Sequence, residues 1–157
     1  MFLSNTLRVA TAADGDSIAA LAIAFRNHLQ RTEPTDASLL ASVHQLLASP
    51  EAEFDLCLQD GVAVGYVLLR FRHSLWASGT DATLEDLFVH PATRQGGVGR
   101  ALVEFALQRA KSHGCTSMAL DTNEHNVASQ RIYRSLGFQS HSPRWGGHQL
   151  FYRLKLR

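Results

Sequence analysis

Hydrophobic residues in the first fifty positions of the chain predict a short strand followed by two helices. The strand covers Leu7 to Ala10. Asp14 or Asp16 can cap the first helix. Its apolar positions recur three or four residues apart, at Ile18, Leu21, Ala22, Phe25 and Leu29. The second helix begins at Thr35 or Asp36 and repeats that spacing, at Leu39, Leu40, Val43, Leu46 and Leu47.

The spacing then changes to every second residue, which predicts a β-hairpin. Phe54, Leu56 and Leu58 alternate with less apolar residues. Asp60-Gly61 follows, a dipeptide typical of a two-residue turn, and the return strand runs from Val62 to Phe71. We therefore expect two antiparallel strands joined by a tight turn.

The second half of the chain alternates strands and helices. The predicted elements are a strand from about 82 to 89, a helix over 101–110, a strand over 117–120, a helix over 126–136 and a final strand over 149–155. With the first half, this gives the order β-α-α-β-β-β-α-β-α-β, which is an α/β class with a later crossover. A length of 157 residues suits one domain, so we expect residues 1–157 to form a single domain.

Composition narrows the class of protein further. With 45% hydrophobic residues and a net charge of +1, we expect neither a disordered chain nor a nucleic-acid-binding protein. No apolar run approaches the roughly 20 residues that span a bilayer, so no membrane partner is expected. Asp14 and Asp16 precede the short apolar stretch from Ile18 to Phe25, so no secretory signal is expected either. Cys57 and Cys115 stand alone, which favours a reduced, cytoplasmic setting over a zinc ribbon or a disulfide scaffold.

The small net charge hides a difference between the two halves. Residues 1–80 contain five Arg and eight Asp or Glu, a net −3, whereas residues 81–157 contain ten Lys or Arg and six Asp or Glu, a net +4. The basic half suits a phosphate-bearing ligand and the acidic half a cationic one, but random scatter explains charges of this size equally well. The eight histidines form no HExxH motif and no i, i+4 pair, so no metal site is expected.

Residues 94–101, with the sequence RQGGVGRA, form a glycine-rich turn between a strand and a helix. Backbone N–H groups at a helix N-terminus attract anions, and glycine lets a ligand approach the backbone closely. A phosphate site and a turn that needs glycine only for its geometry both stay open. The P-loop pattern GxxxxGK[ST] is absent, and Leu102 stands where a dinucleotide-binding fingerprint needs a third small residue.

Two motifs in this half resemble those of the GNAT superfamily of acyl-CoA-dependent N-acyltransferases. Arg94-x-x-Gly97-x-Gly99 is similar to the superfamily signature Q/R-x-x-G-x-G/A, and residues 84–91 (LEDLFVHP) are similar to the strand before it. Residues 126–138 resemble the helix motif N-x-x-A-x-x-x-Y-x-x-x-G-F, with Ser129 in place of the usual Ala. The L-E-D-x-F-V strand is nearest in pattern to the small-amine and polyamine acetyltransferases.

The resemblance implies a single-domain α/β fold, with a mixed sheet that splays between its fourth and fifth strands and about four flanking helices. It places the co-substrate acetyl-CoA in the opening, with the pantetheine arm along one strand and the pyrophosphate on the glycine-rich turn. The cofactor-binding residues that it implies are Leu87, Phe88, Val89, Arg94, Gln95, Gly96, Gly97, Val98, Gly99, Arg100, Asn126 and Ser129.

Acyl transfer to an amine requires a base, an oxyanion site and an acid. An alkylamine with a pKa near 10 is mostly protonated at neutral pH, so a base must remove a proton, directly or through water. The resemblance implies Glu85 as this base and Tyr133 as the acid for the departing thiolate. The N–H of Phe88 or Val89 is the expected oxyanion donor. Transfer is expected to be direct, in a ternary complex, without an acyl-cysteine.

The acceptor is expected to be a primary amine on a small cationic molecule. The candidate acceptor-binding residues are Glu85, Asp86, Phe25 and His28. Alternation along the strand predicts that Asp86 lies on the face opposite Glu85. Two alternatives stay open: an enzyme that acetylates peptide or protein amines, and a non-catalytic acyl-CoA sensor or interaction module on the same fold. The resemblance also suggests a homodimer, because the final strand often forms dimers in this family.

Overall fold

The computed structural model describes residues 4–93 and 96–157. Its five strands form one sheet, in which each strand lies beside the next one along the chain. The strands are β1 (Asn5–Val9), β2 (Ala52–Gln59), β3 (Val62–Ser74), β4 (Gly79–Val89) and β5 (Met118–Ala119). The helices are α1 (Gly15–His28), α2 (Asp36–Leu47), α3 (Val98–Ser112) and α4 (Val127–Ser135). The chain divides into two compact units, residues 1–120 and 121–157, the second of which contains α4.

The second helix begins with a side-chain cap, whereas Asp14, which precedes the first, makes no side-chain hydrogen bond to its helix. The Thr35 hydroxyl accepts a hydrogen bond of 3.2 Å from the Ser38 N–H at the start of α2. Asp14 precedes α1 and accepts hydrogen bonds of 2.7 and 2.8 Å from the guanidinium of Arg8 on β1. The start of α1 is thereby fixed to the sheet. No helix in the described part of the chain combines the length and apolar character that crossing a membrane requires.

The sheet is mixed, which confirms the α/β prediction. β1 to β4 pair antiparallel, and β4 and β5 are parallel. The predicted turn joins β2 and β3, since Asp60 and Gly61 both have positive φ angles, of 48° and 81°. In the described chain, β5 pairs with β4 at two positions only, Ala82 and Thr83. The sheet is therefore open beyond Thr83.

Helices cover both faces of the sheet. Tyr66 and Leu68 of β3 lie on the face covered by α1 and α2. The other buried residues of this core are Ile18, Ala19, Leu21, Val43, Phe54, Leu56 and Phe88. Gly65, which alternation places on the opposite face, lies against the fully buried Leu102 of α3. The sheet thus forms the middle layer between α3 and the first two helices.

A buried acidic cluster ties the C-terminal half of α3 to β2. Glu53 accepts hydrogen bonds of 2.7 and 2.8 Å from Arg109, and its Oε2 lies 2.9 Å from Nε2 of His113. Although burial opposes the shift, these hydrogen bonds lower the pKa of Glu53 to about 2. Asp55 is fully buried, and neither of its oxygens has a hydrogen-bond partner among the described residues. Burial and the charge of Glu53 raise the pKa of Asp55 to about 8.

In the second unit, α4 has a defined start and end. The Asn126 side chain accepts a hydrogen bond of 3.4 Å from the Ser129 N–H. Gly137 follows the helix with a φ of 95°, and the Phe138 N–H donates to the Tyr133 carbonyl at 3.0 Å. The rings of Tyr133 and Phe138 pack edge to face, with centroids 5.8 Å apart. The predicted helix is confirmed, and glycine ends it.

The prediction of a final strand over 149–155 is wrong. These residues have no regular secondary structure, and the nearest strand-like contact is an isolated bridge between His141 and His148. A strand requires a neighbouring strand for its backbone hydrogen bonds, and the described residues provide none here. The segment leaves large apolar side chains exposed: Leu150, Phe151, Tyr152, Leu154 and Leu156.

Candidate active site

An irregularity in the pairing of β3 with β4 brings two carboxylates to one face of the sheet. Leu68 is opposite Asp86 and Leu69 is opposite Leu84, so Glu85 has no partner residue on β3. Such a bulge adds one residue to a strand and shifts the alternation of the side chains that follow. The prediction that Asp86 lies on the face opposite Glu85 is therefore wrong, because both side chains contact even-numbered residues of β3.

Glu85 is paired with Arg70. The Nη1 atom of Arg70 lies 3.5 Å from Oε2 of Glu85, and the two side chains are 38% and 50% exposed. The Nε atom of Arg70 is buried and has no hydrogen-bond partner among the described residues. An ion pair that is this exposed is weak. Glu85 therefore presents an accessible carboxylate with a positive charge beside it.

Asp86 contacts a buried phenol. The Tyr66 hydroxyl donates a hydrogen bond of 3.4 Å to Oδ2 of Asp86. Tyr66 is only 2% exposed, and burial together with the charge of Asp86 raises the pKa of its hydroxyl. The hydroxyl stays protonated as a result and acts as a donor to the carboxylate.

Helix α1 contributes an aromatic side chain to this face. Phe25 stacks on Phe88, with ring centroids 5.0 Å apart and an interplanar angle of 20°. Phe88 is two residues beyond Asp86 on β4, so the two side chains share a face. His28 is exposed at the C-terminal end of α1. The structure thus brings Phe25 to the face that carries both carboxylates and places His28 at the end of the same helix.

Beyond Thr83, one side of β4 has no strand beside it in the described chain. Leu87–Val89 pair with residues 65–67 of β3 on the other side. The side without a strand is the one on which β5 has already ended. An extended ligand can bind at such an edge as an additional strand does. The backbone of Leu87–Val89 therefore belongs to an open edge of the sheet, and its role in binding the pantetheine arm stays a prediction.

The close packing of β3 against β4 depends on Gly65. A Cβ atom at this position would lie 2.9 Å from the backbone oxygen of Phe88 and 3.1 Å from Cδ1 of Leu102. Real Cβ atoms are essentially never found within 3.0 Å of such an atom. The absence of a side chain at Gly65 therefore sets the position of Phe88 and of α3.

The described part of the glycine-rich turn forms the start of α3. Gly97 is the residue before the helix and has a φ of 76°, a conformation that favours glycine. The N–H groups of the first turn, from Val98 and Gly99 onward, have no acceptor within the helix. This arrangement attracts an anion, as the predicted pyrophosphate site requires.

The structure describes Arg100 of the glycine-rich turn but not every polar residue of that turn. Arg100 pairs with Glu104 on the same helix, with its Nε atom 2.9 Å from Oε1. Arg94 and Gln95, both predicted to bind the cofactor, lie outside the described residues. Gly96 lies before Gly97 and has room for a Cβ atom, which would approach the Thr93 oxygen at 3.5 Å.

The second unit carries the other predicted residues on α4. The side-chain oxygen of Asn126 caps the helix by accepting from Ser129, so Asn126 has a structural role. Tyr133 is 7% exposed. Burial raises the pKa of its hydroxyl, and the charge of Asp121 raises it as well. A hydrogen bond with the Ser129 side chain lowers this pKa, but the net shift is upward. The phenol therefore stays protonated at neutral pH, as a proton donor must.

Arg70 and Tyr66 are the residues of this site that the sequence did not predict. Both lie at even-numbered positions of β3, and each reaches a carboxylate on β4. Their contacts depend on the pairing between the two strands, and specifically on the extra residue at Glu85. Alternation along β3 predicts that Arg70 and Tyr66 share a face of the sheet. No pattern in the sequence of β4 predicts the bulge at Glu85.

Known proteins similar to this chain include acetyltransferases of small amines. The chain is 35% identical over 119 residues to the aminoglycoside N(6')-acetyltransferase type 1 of Salmonella typhimurium strain LT2, covering 73% of this chain and 81% of that protein. It is 29% identical over 106 residues to the thialysine N-epsilon-acetyltransferase of Bos taurus, covering 68% and 59%. The solved aminoglycoside N-acetyltransferase AAC(6')-Iy in complex with CoA matches with a TM-score of 0.78 at 26% identity, over 99% and 97%.

A family model also matches most of the chain. The model described as the acetyltransferase (GNAT) family matches residues 17–138. This range contains both motifs, the bulge at Glu85 and the whole of α4. The chain therefore belongs to the GNAT family of acetyltransferases and is an acetyl-CoA-dependent N-acyltransferase.

Proposed function

We propose that the protein transfers the acetyl group of acetyl-CoA to a primary amine of a small cationic molecule, directly and in a ternary complex. The observation that carries this proposal is the bulge, which puts Glu85 and Asp86 on one face of β4. Two carboxylates on the face that also carries the aromatic ring of Phe25 favour a cationic acceptor. The similar proteins named for aminoglycosides and for thialysine support a small amine.

Glu85 acts as the base in this proposal. The amine arrives as an ammonium ion and can attack only after it loses a proton. Glu85 is half exposed, so it can accept that proton directly or through water.

Tyr133 acts as the acid. The thioester of acetyl-CoA supplies an activated acetyl group and leaves a thiolate, which must be protonated. The hydroxyl of Tyr133 has its proton at neutral pH, as phenols ordinarily do, and burial raises its pKa further. An N–H group of Phe88 or Val89 on β4 supplies the hydrogen bond to the oxyanion.

In this proposal, acetyl-CoA is bound mainly by backbone groups. The edge at Leu87–Val89 receives the pantetheine arm, and the backbone amides of residues 95–100 receive the pyrophosphate. The left-handed Gly97 and the N–H groups of the first turn of α3 support the second of these assignments. Asn126 and Ser129 are the further cofactor contacts that the family resemblance implies.

A panel of amines assayed with acetyl-CoA tests the proposed function. The panel contains diamines, polyamines, aminoglycosides, amino acids and short peptides, and release of free CoA thiol reports turnover. We expect one or more of the small cationic amines to be acetylated at least 10 times faster than any peptide. Turnover of peptides alone would contradict the small-amine acceptor, and binding of acetyl-CoA without any turnover would contradict catalysis.

We further propose that the protein forms a homodimer in the cytoplasm. Residues 149–156 alternate apolar and polar side chains over most of their length, and Leu150, Tyr152, Leu154 and Leu156 are 71%, 84%, 81% and 86% exposed. An apolar segment of this kind favours burial against another copy of the chain. The free thiols of Cys57 and Cys115 favour a reducing compartment.

A further inference from the structure

The side chain of Glu85 is held by an ion pair rather than by the packing of the sheet. Glu85 is the extra residue of the bulge, so its backbone has no opposite residue on β3. Its side chain is half exposed, and a glutamate with that much freedom samples several rotamers. Its carboxylate lies 3.5 Å from the Nη1 atom of Arg70. This contact therefore selects among the positions that the carboxylate can take.

Arg70 is fixed at the inner end of its guanidinium. The Nε atom is buried, whereas 38% of the side chain as a whole is exposed. A guanidinium is planar and rigid, so a fixed Nε also fixes the directions of the two Nη atoms. Exposed ion pairs are weak partly because two long side chains lose freedom when they pair. Here Arg70 has already lost much of that freedom on folding, so pairing restricts mainly Glu85.

The burial of this Nε atom opposes folding. It has no hydrogen-bond partner among the described residues, and a buried N–H without a partner costs free energy. An apolar side chain of similar length, such as Met, would pack without that cost. The gain from an arginine at position 70 must therefore come from what its guanidinium reaches, and the group that it reaches is the carboxylate of Glu85.

We propose that Arg70 is a positioning residue, which holds the carboxylate of Glu85 where it accepts the proton of the acceptor amine. This inference rests on the proposed function, in which Glu85 is the base, and deepens it by naming the residue that orients the base. Arg70 is opposite Thr83. That position is about 13 Å along the strand from Leu87, where the edge proposed for the pantetheine arm begins. Arg70 therefore acts through Glu85 and not on the thioester.

Arg70→Met tests the inference, with the amine that the panel identifies as the best acceptor. We expect kcat to fall about 10-fold at pH 7 while KM stays within about 2-fold. The loss should shrink towards pH 10, because the acceptor then loses its proton without a base. Arg70→Lys keeps the charge and should stay within about 3-fold of the wild-type kcat. Arg72→Met, two residues along the same strand, is the matched control and should equal the wild type.

Two further measurements separate positioning from packing. The melting temperature of Arg70→Met should be no lower than that of the wild type, because the variant no longer buries an unpartnered N–H. In a Glu85→Gln background, Arg70→Met should lower kcat by no more than about a further 2-fold, since the carboxylate that Arg70 positions is then absent. Arg70→Lys and this double variant test the inference even where Arg70→Met alone folds poorly.

Three outcomes would overturn the inference and leave the proposed function standing, provided that Glu85→Gln itself is impaired. They are a wild-type kcat in Arg70→Met, a loss that is equal at pH 7 and pH 10, and losses that multiply in the double variant. A full wild-type kcat in Glu85→Gln would instead contradict Glu85 as the base, and with it the proposed function.

Discussion

Asp55 and Glu53 lie two residues apart on the same face of β2, but only Glu53 has hydrogen-bond partners among the described residues. Arg109 and His113 contact the Glu53 carboxylate, whereas neither Asp55 oxygen has such a partner in the described chain. Asp55 has a pKa of about 8 in the folded protein, well above its value in an unfolded chain. The folded state therefore holds a proton that the unfolded chain releases. The stability that this proton gives is complete below about pH 4 and is lost as the pH rises through about 8.

We expect Asp55→Asn to remove this pH dependence. The amide has the size of the protonated acid and no charge, so the variant should be more stable than the wild type by at least about 2 kcal/mol at pH 8. Urea unfolding at pH 5 and pH 8 measures the effect. A wild-type protein whose stability rises between these two pH values, or an equal loss in the variant at both, would contradict the assignment of a raised pKa.

Glu85→Gln should lower kcat about 100-fold at pH 7. The loss should shrink as the pH approaches the pKa of the amine, near 10, because the acceptor then no longer needs a base. Initial rates from pH 7 to pH 10 measure this. Glu51→Gln, an exposed glutamate before β2, is the control and should match the wild type. A loss that stays constant with pH would show that Glu85 binds the acceptor without removing its proton.

Tyr133→Phe should lower kcat about 100-fold and leave the dissociation constant of CoA within about 2-fold. The ring still packs on Phe138, so the change in the free energy of unfolding should be below about 1 kcal/mol. Steady-state kinetics and calorimetric titration with CoA separate the two effects. Full activity in the variant would exclude the hydroxyl as the acid.

Gly65→Ala should destabilise the protein by about 1–3 kcal/mol, because the added methyl group meets the Phe88 oxygen at 2.9 Å. It should also weaken CoA binding, since Phe88 lies on the edge proposed to receive the pantetheine arm. Gly79→Ala is the control, because a Cβ atom there would lie 3.7 Å from its nearest neighbour, the Ala77 oxygen. Urea unfolding and CoA titration report both effects, and equal results for the two variants would contradict the packing argument.

Replacing both Leu154 and Leu156 with Ser should convert the proposed homodimer to a monomer. Each is more than 80% exposed within one chain, so the folded monomer should lose almost no stability. Sedimentation velocity over a range of protein concentrations measures the change, and Lys155→Ser is the control. A wild-type protein that sediments as a monomer throughout would contradict the dimer.

Local signals in the sequence were sufficient for most of the fold. Asp60-Gly61 specifies the hairpin turn because both residues adopt positive φ, and Thr35 specifies the start of α2 because its hydroxyl caps the helix. Gly137 ends α4 because it also adopts a positive φ. These features depend on a few neighbouring residues, so a sequence pattern reveals them.

Features that depend on distant residues were not predicted. The bulge at Glu85 exists only in the pairing of β4 with β3, so alternation within one strand gave the wrong face for Asp86. The alternating pattern at 149–155 is suited to a strand, but no neighbouring strand in the described chain pairs with it. The contacts of Arg70 and Tyr66 required the same knowledge of strand pairing.

The early end of β5 has a consequence for how the protein is handled and stored. A long strand edge without a neighbouring strand is a template on which other extended chains can assemble into aggregates. On the proposed function, acetyl-CoA covers that edge along β4, so the ligand also protects the protein. Preparations kept without CoA should therefore precipitate sooner than preparations saturated with it, and light scattering during incubation would follow the difference.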